Sequence, residues 1–169
     1  MEGMVAKWYA ANTGKTLDEF TKLALRIGSQ LPPGSTVLEV APGPGYFSIE
    51  LAKLGPYSIA GLDISHTFVE LARKKAAKAG VHVDFRQGNA SQMPFANDTF
   101  DFLLCRAAFK NFGQPVRALQ EMCRVLKGGR HGLEHRQHNS DEARFPDDAA
   151  QEYLHQGAVS AHVGAGHLS

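Results

Sequence analysis

The sequence has few of the features that mark membrane-bound, secreted or nucleic-acid-binding proteins. It holds only two cysteines among 169 residues, too few for a disulfide framework. No apolar run approaches the roughly 20 residues that span a bilayer, and none at the N-terminus has signal-peptide length. The 18 Lys and Arg nearly balance the 17 Asp and Glu, which argues against a nucleic-acid or anionic-membrane partner. We therefore expect a reduced, cytoplasmic protein that binds neither nucleic acid nor membrane.

Apolar residues are unevenly distributed along the chain. Hydrophobic residues make up 43% of the sequence, which is enough for one globular domain. Residues 130–169, however, contain only seven of the large apolar types and six of the eight histidines. Such a segment buries little apolar surface. We expect an ordered domain over residues 1–129, followed by a His-rich, poorly ordered tail.

Strand-like and helix-like segments alternate through the first 129 residues. Capping boxes at Thr16–Glu19 and Thr67–Glu70 predict helix starts, and Pro115 suits the first turn of the last helix. Apolar runs predict four strands, at 36–41, 58–64, 81–85 and 100–105. The alternating pattern of the third strand suits a sheet edge. The whole pattern predicts an α/β fold with a doubly wound parallel sheet and helices on both faces.

Two glycines, Gly43 and Gly45, follow the first predicted strand. Because glycine has no Cβ, the backbone can pass close to a ligand there. The helix that follows points its free N–H groups at the same place. Glu39, inside the strand, disfavours a pyrophosphate but suits a ligand that carries an ammonium group. A Gly-Pro turn without any ligand is the alternative interpretation.

Polar residues also lie at or just after the ends of the other three predicted strands. Asp63 can accept hydrogen bonds from a ribose diol, and Ile64 beside it can pack on an adenine face. Asn89 offers a donor and an acceptor to an adenine edge. Arg106, with the rest of segment 106–112, borders the place where a second substrate would meet a cofactor. The alternatives are a helix-capping Asp63, a plain Gly-Asn turn and a surface charge at Arg106.

In their order and spacing, these segments resemble class I S-adenosylmethionine-dependent methyltransferases, in particular the group that methylates small molecules such as quinone precursors. The matching segments are 37–45, 61–65, 88–90, 93–101 and 121–129. The resemblance covers roughly residues 16–129 and implies a Rossmann-like fold. It also implies S-adenosylmethionine as the cofactor and a small-molecule methyl acceptor as the partner.

The resemblance further implies a role for each residue at the strand ends. Glu39 and the turn 41–45 would hold the methionine portion of the cofactor, Asp63 its ribose, and Ile64 and Asn89 its adenine. The expected cofactor-binding residues are Glu39, Ala41, Pro42, Gly43, Gly45, Asp63, Ile64, Gly88, Asn89, Ala90 and Arg106. The family more often has Gly in place of Ala41 and Asp in place of Asn89. We assign no catalytic residue, because alignment and exclusion of water are the protein's main contributions.

The resemblance ends near Gly129. The family usually continues with Lys-Pro-Gly-Gly and a strongly apolar fifth strand, whereas this chain continues with Lys127-Gly-Gly-Arg-His and no apolar strand. We therefore expect a sheet truncated after strand four, an irregular tail, and an apolar strand-four edge open to self-association. Our hypothesis for the tail is a frameshift, a splice variant or a gene-model error.

Two outlying groups of residues carry weaker patterns. Trp8 and Tyr9 lie where such enzymes often have an N-terminal lid, and simple packing explains them equally well. His131, His135 and His138 have the spacing of zinc ligands on one helix face. Because Gly132 weakens that helix, we predict a solvated polar tail and no metal site.

Three functions fit the sequence. The first is in-line transfer of a methyl group from S-adenosylmethionine to a small molecule. The second, favoured by the missing strands, is a non-catalytic S-adenosylmethionine-binding module or an inactive truncated methyltransferase. The third is a nicotinamide-dependent dehydrogenase, since Gly43, Gly45 and Asp63 also suit a dinucleotide fold. Against this third function, Ser48 stands where the dinucleotide fingerprint requires a glycine.

Overall fold

The computed structural model describes residues 17–106, 108 and 111–128, and the backbone of 158–162. The elements are α1 (Leu17–Gly28), β1 (Thr36–Val40), α2 (Tyr46–Ala52), β2 (Ser58–Asp63), α3 (His66–Ala79), β3 (Asp84–Gln87), β4 (Phe102–Arg106), α4 (Pro115–Val125) and β5 (Ala158–His162). All four predicted strands are present, within three residues of their expected bounds. No helix in this part of the chain is long and apolar enough to cross a membrane.

The strands form one sheet in the order β3-β2-β1-β4-β5. β1 lies between β2 and β4 and pairs with both in parallel, and β3 pairs in parallel with β2. The predicted doubly wound parallel sheet is therefore confirmed. β3 lies at one edge, as its alternating pattern indicated, and its last two residues are exposed.

Helices cover both faces of this sheet. On one face, α1, α2 and α3 pack on alternate strand residues such as Val37 and Leu104. On the other face, α4 packs on the residues between them, such as Leu38 and Leu103. Because both faces are buried, the central strands are apolar throughout rather than alternating.

The prediction that strand four has an open edge is wrong. β5 pairs antiparallel with the whole of β4, from Phe102 opposite His162 to Arg106 opposite Ala158. The chain itself therefore covers this edge of β4. Residues 158–162 (AVSAH) contain one β-branched residue, too weak a signal for a strand. Trp8, Tyr9, Thr16 and the triplet His131, His135 and His138 lie outside the described residues.

The start of α3 corrects a second prediction. Ser65, rather than Thr67, is the N-cap residue, and its Oγ accepts a hydrogen bond from the Phe68 N–H. The helix ends at Gly80, which has the left-handed conformation (φ 68°) that closes many helices. Pro115 occupies the first turn of α4 as predicted.

Two segments that carry the resemblance hold the sheet and α4 together. The Arg124 guanidinium donates to the carbonyl oxygens of Phe95 and Met93 at 2.8 and 3.1 Å, and it pairs with Glu121. Asp101 accepts hydrogen bonds from the backbone N–H of Thr36 and from Lys127, both at 2.8 Å. Burial favours the neutral form of Asp101, but these donors outweigh it and lower its pKa to about 2. These motif residues make structural contacts, and the contact of Asp101 with Thr36 lies at the amino end of the sheet, opposite the strand ends that carry the predicted site residues.

Candidate functional site

The carboxyl ends of β1, β2 and β3 meet at one edge of the sheet, beside a cleft of about 230 Å³. Ligands of such sheets bind at this edge. The volume is below the approximately 300–1,000 Å³ typical of whole-ligand pockets, so the cleft suits part of a ligand, such as a nucleoside. The lining consists of Val40, Ala41, Leu62, Ile64, Gly88, Asn89, Ala90, Ser91, Asn111, Phe112, Gly113 and Gln114.

The cleft has an apolar wall and a polar wall. Ile64 is 67% exposed although it is a large aliphatic residue, so it offers an apolar surface to a planar ring. On the other side, the Asn89 side-chain oxygen accepts the Ser91 N–H at 2.8 Å and fixes the turn over residues 89–91. Ser91 is itself anchored by the hydrogen bond from its Oγ to the Gln114 carbonyl oxygen. These two hydrogen bonds hold the turn against the start of α4.

The loop from Ala41 to Gly45 connects β1 to α2 and contains three residues with positive φ. These are Ala41 (57°), Gly43 (54°) and Gly45 (76°). A Cβ on Gly45 would lie 2.6 Å from Cζ of buried Phe85, so this glycine is required for packing as well as for its backbone conformation. A Cβ on Gly43 would meet nothing within 4 Å. Gly43 therefore faces open space, where a ligand can approach the backbone.

Asp63, at the end of β2, holds this loop in place. Its side chain is buried, and Oδ2 accepts the Gly43 N–H at 3.0 Å. Oδ1 accepts the Ser65 N–H at 2.9 Å, immediately before α3. One carboxylate thus ties the glycine loop of β1 to the end of β2. Local contacts of Asp63 are therefore observed, and its contact with a ligand stays a prediction.

Glu39 acts as a remote cap for α2. The residue before that helix, Gly45, has no side chain to cap it. Instead Oε2 of Glu39 accepts the Ser48 hydroxyl at 2.6 Å and the Ser48 backbone N–H at 3.2 Å. The bond from the backbone N–H is the one that an N-cap side chain would accept. The strand thereby fixes where the helix begins and how the glycine loop is folded.

The environment of Glu39 favours a positively charged partner. Its side chain is only 4% exposed. This burial raises the pKa of Glu39 from its usual 4.5 to about 7, against the lowering effect of the Ser48 hydrogen bonds. The nearby Asp63 carboxylate raises this pKa further, while Arg106 lowers it. Within the described part of the chain Glu39 has no ion pair, so an incoming cation would stabilise its charged form.

Ten of the eleven predicted site residues fall into three groups, and Arg106 stands apart from them. Ala41, Ile64, Gly88, Asn89 and Ala90 line the cleft. The second group belongs to the adjoining loop: Gly43 is part of it, and Glu39 and Asp63 are the acids beside it. The third group, Pro42 and Gly45, is buried. The Cγ of Pro42 lies 3.2 Å from the place that a Cβ on Gly61 would occupy.

Arg106 lies apart from the cleft lining, against the start of α1. One guanidinium nitrogen is 3.2 Å from a carboxylate oxygen of Glu19. The guanidinium carbon is 4.8 Å from the centre of the Phe20 ring. Its assignment as a cofactor-binding residue stays a prediction.

Sequence reasoning missed seven lining residues. Val40 and Leu62 are ordinary apolar strand residues, so nothing in their type distinguishes them from the core. Asn111 and Phe112 belong to the segment expected to border a second substrate, but the structure brings them to the cleft instead. The remaining residues are Ser91, Gly113 and Gln114. They belong to turns that reach the cleft only when α4 packs against the sheet.

Comparison with protein families gives a match over the same residues. The model of a family described as a methyltransferase domain matches residues 38–131, more than half of the chain. The demethylmenaquinone methyltransferase of Deinococcus radiodurans is 40% identical over 94 residues, covering 55% of this chain and 39% of that protein. The chain thus spans about two fifths of the length of the curated relatives it matches.

Solved structures share this architecture. A protein from Methanococcus maripaludis, provisionally assigned as an S-adenosyl-L-methionine-dependent methyltransferase, superposes with a TM-score of 0.67 at 28% identity. The alignment covers 72% of this chain and 57% of that one. The [4+2]-cyclase SpnF has a TM-score of 0.60 at 28% identity, over 65% of this chain and 41% of its own. The fold therefore occurs in proteins named for different reactions. The reaction has to be inferred from the residues of the site and not from the fold.

Proposed function

The chain belongs to the methyltransferase-domain family, and from this premise we propose that it binds S-adenosylmethionine and transfers the methyl group to a small molecule. The observation that carries the proposal is the juxtaposition of a nucleoside-sized cleft with a glycine loop backed by two buried carboxylates, Glu39 and Asp63. A cofactor with an adenosyl group at one end and cationic groups at the other suits both halves of this site.

Each group of site residues would bind one part of the cofactor. Ile64 and the turn 88–91 would hold the adenine, and Asp63 the ribose hydroxyls. The open face of Gly43 leaves room for the chain that joins the ribose to the sulfur. Glu39 would stabilise the positive charge of the methionine portion, since it has no ion pair among the described residues.

The bound cofactor would supply an activated methyl group, so the protein's part is binding, orientation and exclusion of water. Two contacts fix the loop 41–45: Asp63 holds its middle through Gly43, and Glu39 holds the helix that follows it through Ser48. A loop fixed in this way loses little conformational freedom on binding, which favours precise alignment of the reacting groups. We assign no general base.

The alternative as a nicotinamide-dependent dehydrogenase is not favoured. Ser48 occupies the position where that fingerprint requires glycine, and its hydroxyl is bonded to Glu39. A glycine there would remove the donor from a buried carboxylate. Two buried acids beside the loop would also repel a pyrophosphate.

The acceptor class is also proposed. The relative from Deinococcus radiodurans is named for demethylmenaquinone, which makes quinol-type rings the first acceptors to test. Because this chain spans only part of those proteins, we propose a small-molecule acceptor and treat the quinol ring as one member of that class.

Radiolabelled methyl transfer from S-adenosylmethionine to a panel of quinols, phenols and amines tests the proposal. We expect label in at least one small-molecule product, with transfer abolished or strongly reduced in Gly43→Ala. Binding of S-adenosylhomocysteine without any transfer would instead identify a non-catalytic binding module. Absence of binding would contradict the proposal as a whole.

A further inference from the structure

Ser48 is the one polar residue among the buried residues of α2. Its chain neighbours Phe47 and Ile49 are core residues. A serine inside a helix usually directs its hydroxyl to solvent or to the backbone of the preceding turn. Here the hydroxyl donates to Oε2 of Glu39 at 2.6 Å, and the Ser48 backbone N–H donates to the same oxygen at 3.2 Å. Both donors of this residue are thus committed to one carboxylate oxygen.

The other oxygen of Glu39 is left available. Among the described residues, none donates a hydrogen bond to Oε1. That oxygen is not sealed from solvent either, because every fully buried side-chain oxygen in residues 17–106, 108 and 111–128 has a partner. Glu39 therefore has one oxygen that is held by α2 and one that a ligand can reach.

The charge of Glu39 depends on burial and on groups from three elements. Burial raises the pKa of this carboxyl to about 7, and the hydrogen bonds from Ser48 oppose that rise. Asp63, at the end of β2, raises the pKa further, and Arg106, at the end of β4, lowers it. Burial also raises the pKa of the Cys105 thiol in β4 to about 12, so this neighbour stays neutral. In the absence of a bound cation, Glu39 therefore exists in both protonation states near neutral pH.

We propose that Ser48 is a positioning residue for cofactor binding, which favours the charged form of Glu39, and that binding of the cationic amino-acid portion of the cofactor releases a proton from Glu39. A neutral carboxyl forms no ion pair, so a protonated Glu39 must lose its proton before it can pair with the ammonium group. The Ser48 hydroxyl favours that loss, because its hydrogen bond to the charged carboxylate is stronger than one to the neutral acid. This inference rests on the proposed function, because it takes Glu39 to meet the ammonium group of the cofactor.

Calorimetry in buffers of different ionisation enthalpy counts the protons that are released on binding. S-adenosylhomocysteine carries the ammonium group, whereas 5′-methylthioadenosine shares its nucleoside but lacks the amino acid. At about pH 6, we expect the wild type to release about one proton with S-adenosylhomocysteine and none with 5′-methylthioadenosine. The release should fall by half as the pH rises to about 7. Glu39→Gln should release no proton with either ligand.

Ser48→Ala tests the positioning role. Loss of the hydroxyl removes a hydrogen bond to a charged group, which is equivalent to about one pH unit or more. The pH at which the release is half complete should therefore rise by that amount, and the affinity for S-adenosylhomocysteine near neutral pH should fall about fivefold. The affinity for 5′-methylthioadenosine should stay unchanged. Ser48→Thr keeps the hydroxyl and should restore the wild-type midpoint.

Ser35→Ala is the matched control for loss of a buried hydroxyl. Ser35 is also buried, and its Oγ also donates a short hydrogen bond, to the Pro32 carbonyl oxygen at 2.7 Å. It lies immediately before β1, at the end of the strand away from the glycine loop. This variant should lose stability without moving the midpoint of proton release.

The outcomes distinguish this inference from the proposed function. If S-adenosylhomocysteine releases no more protons than 5′-methylthioadenosine at about pH 6, proton coupling is overturned while cofactor binding stands, and no variant is needed for that result. Proton release that survives in Glu39→Gln would overturn it equally. A Ser48→Ala protein that loses affinity for both ligands alike, with an unchanged midpoint, would show that Ser48 is merely structural. If S-adenosylhomocysteine does not bind to the wild type, the proposed function and this inference are both wrong.

Discussion

Glu39 in β1 and Ser48 in α2 are joined by two hydrogen bonds to a single carboxylate oxygen, at 2.6 Å from the hydroxyl and 3.2 Å from the backbone N–H. This contact spans the glycine loop and sets the position of the helix relative to the strand. Since Asp63 fixes the middle of the same loop through Gly43, both acids of the candidate site also shape the backbone around it. Their structural and binding roles can be separated by experiment.

Glu39→Gln should change how stability depends on pH. A carboxyl group whose pKa is raised by folding stabilises the native state fully below its unfolded value of 4.5 and loses that contribution as the pH rises through about 7. We therefore expect urea unfolding of the wild type to lose up to roughly 3 kcal/mol relative to Glu39→Gln across this window. If the free energy of unfolding changed with pH in the same way in both proteins, Glu39 would not be a buried group that titrates in this range.

Gly43→Ala should weaken binding of S-adenosylhomocysteine. The added methyl group enters the open space where we expect the ligand to pass close to the backbone. Gly34→Ala is the matched control, because Gly34 also has a positive φ (85°) and a Cβ on it would also meet nothing within 4 Å, but it lies before β1. Both variants should lose about 1 kcal/mol of stability, and only Gly43→Ala should lose affinity, by tenfold or more on a binding isotherm. Equal affinities would remove Gly43 from the site.

Gly45→Ala should destabilise the fold itself. Its methyl group would lie 2.6 Å from Cζ of Phe85 and would also force a positive φ on alanine. The combined steric and backbone cost is about 3 kcal/mol, measurable as a shift of the urea midpoint. In a double-mutant cycle, Phe85→Leu should recover the steric part. Purely additive effects of the two substitutions would show that the contact with Phe85 is not the cause.

Ala41→Gly should stabilise the protein. Ala41 has φ 57°, a conformation that costs a non-glycine residue about 1 kcal/mol. We expect a gain of this size in the free energy of unfolding. The same substitution at exposed Ala77 in α3 should lose about as much. A loss of stability at both positions would show that the loop does not strain Ala41.

Much of the fold could be predicted because its signals are local. Apolar runs identified β1 to β4, and glycines and prolines marked the ends of helices such as α3. The position of Asp63 at the end of β2 followed from the apolar run that it closes. The strand ends of a parallel sheet meet at one edge, so the residues that follow them were expected to come together, as Ala41, Ile64 and Asn89 do.

The remaining features depend on contacts between distant segments. β5 pairs with β4 across more than 50 residues, and its sequence carries little strand preference of its own. The ligand role of Glu39 was predicted from its charge and from the resemblance. Its hydrogen bonds with Ser48 could not be predicted, because they form only once α2 has folded back on β1. Asn111 and Phe112 reach the cleft only because α4 packs under the sheet. Such residues acquire their roles through tertiary packing, which local patterns do not encode.

Calorimetric binding of S-adenosylhomocysteine and of NADH to the full chain tests the central claim most directly. The loop 41–45, backed by two buried carboxylates, should bind the adenosyl amino acid in a saturable one-to-one complex and leave the pyrophosphate-bearing dinucleotide unbound. Asp63→Asn should weaken the first complex by tenfold or more, the effect of losing a hydrogen bond to a charged group. Tighter binding of NADH, or no binding of S-adenosylhomocysteine, would contradict the account.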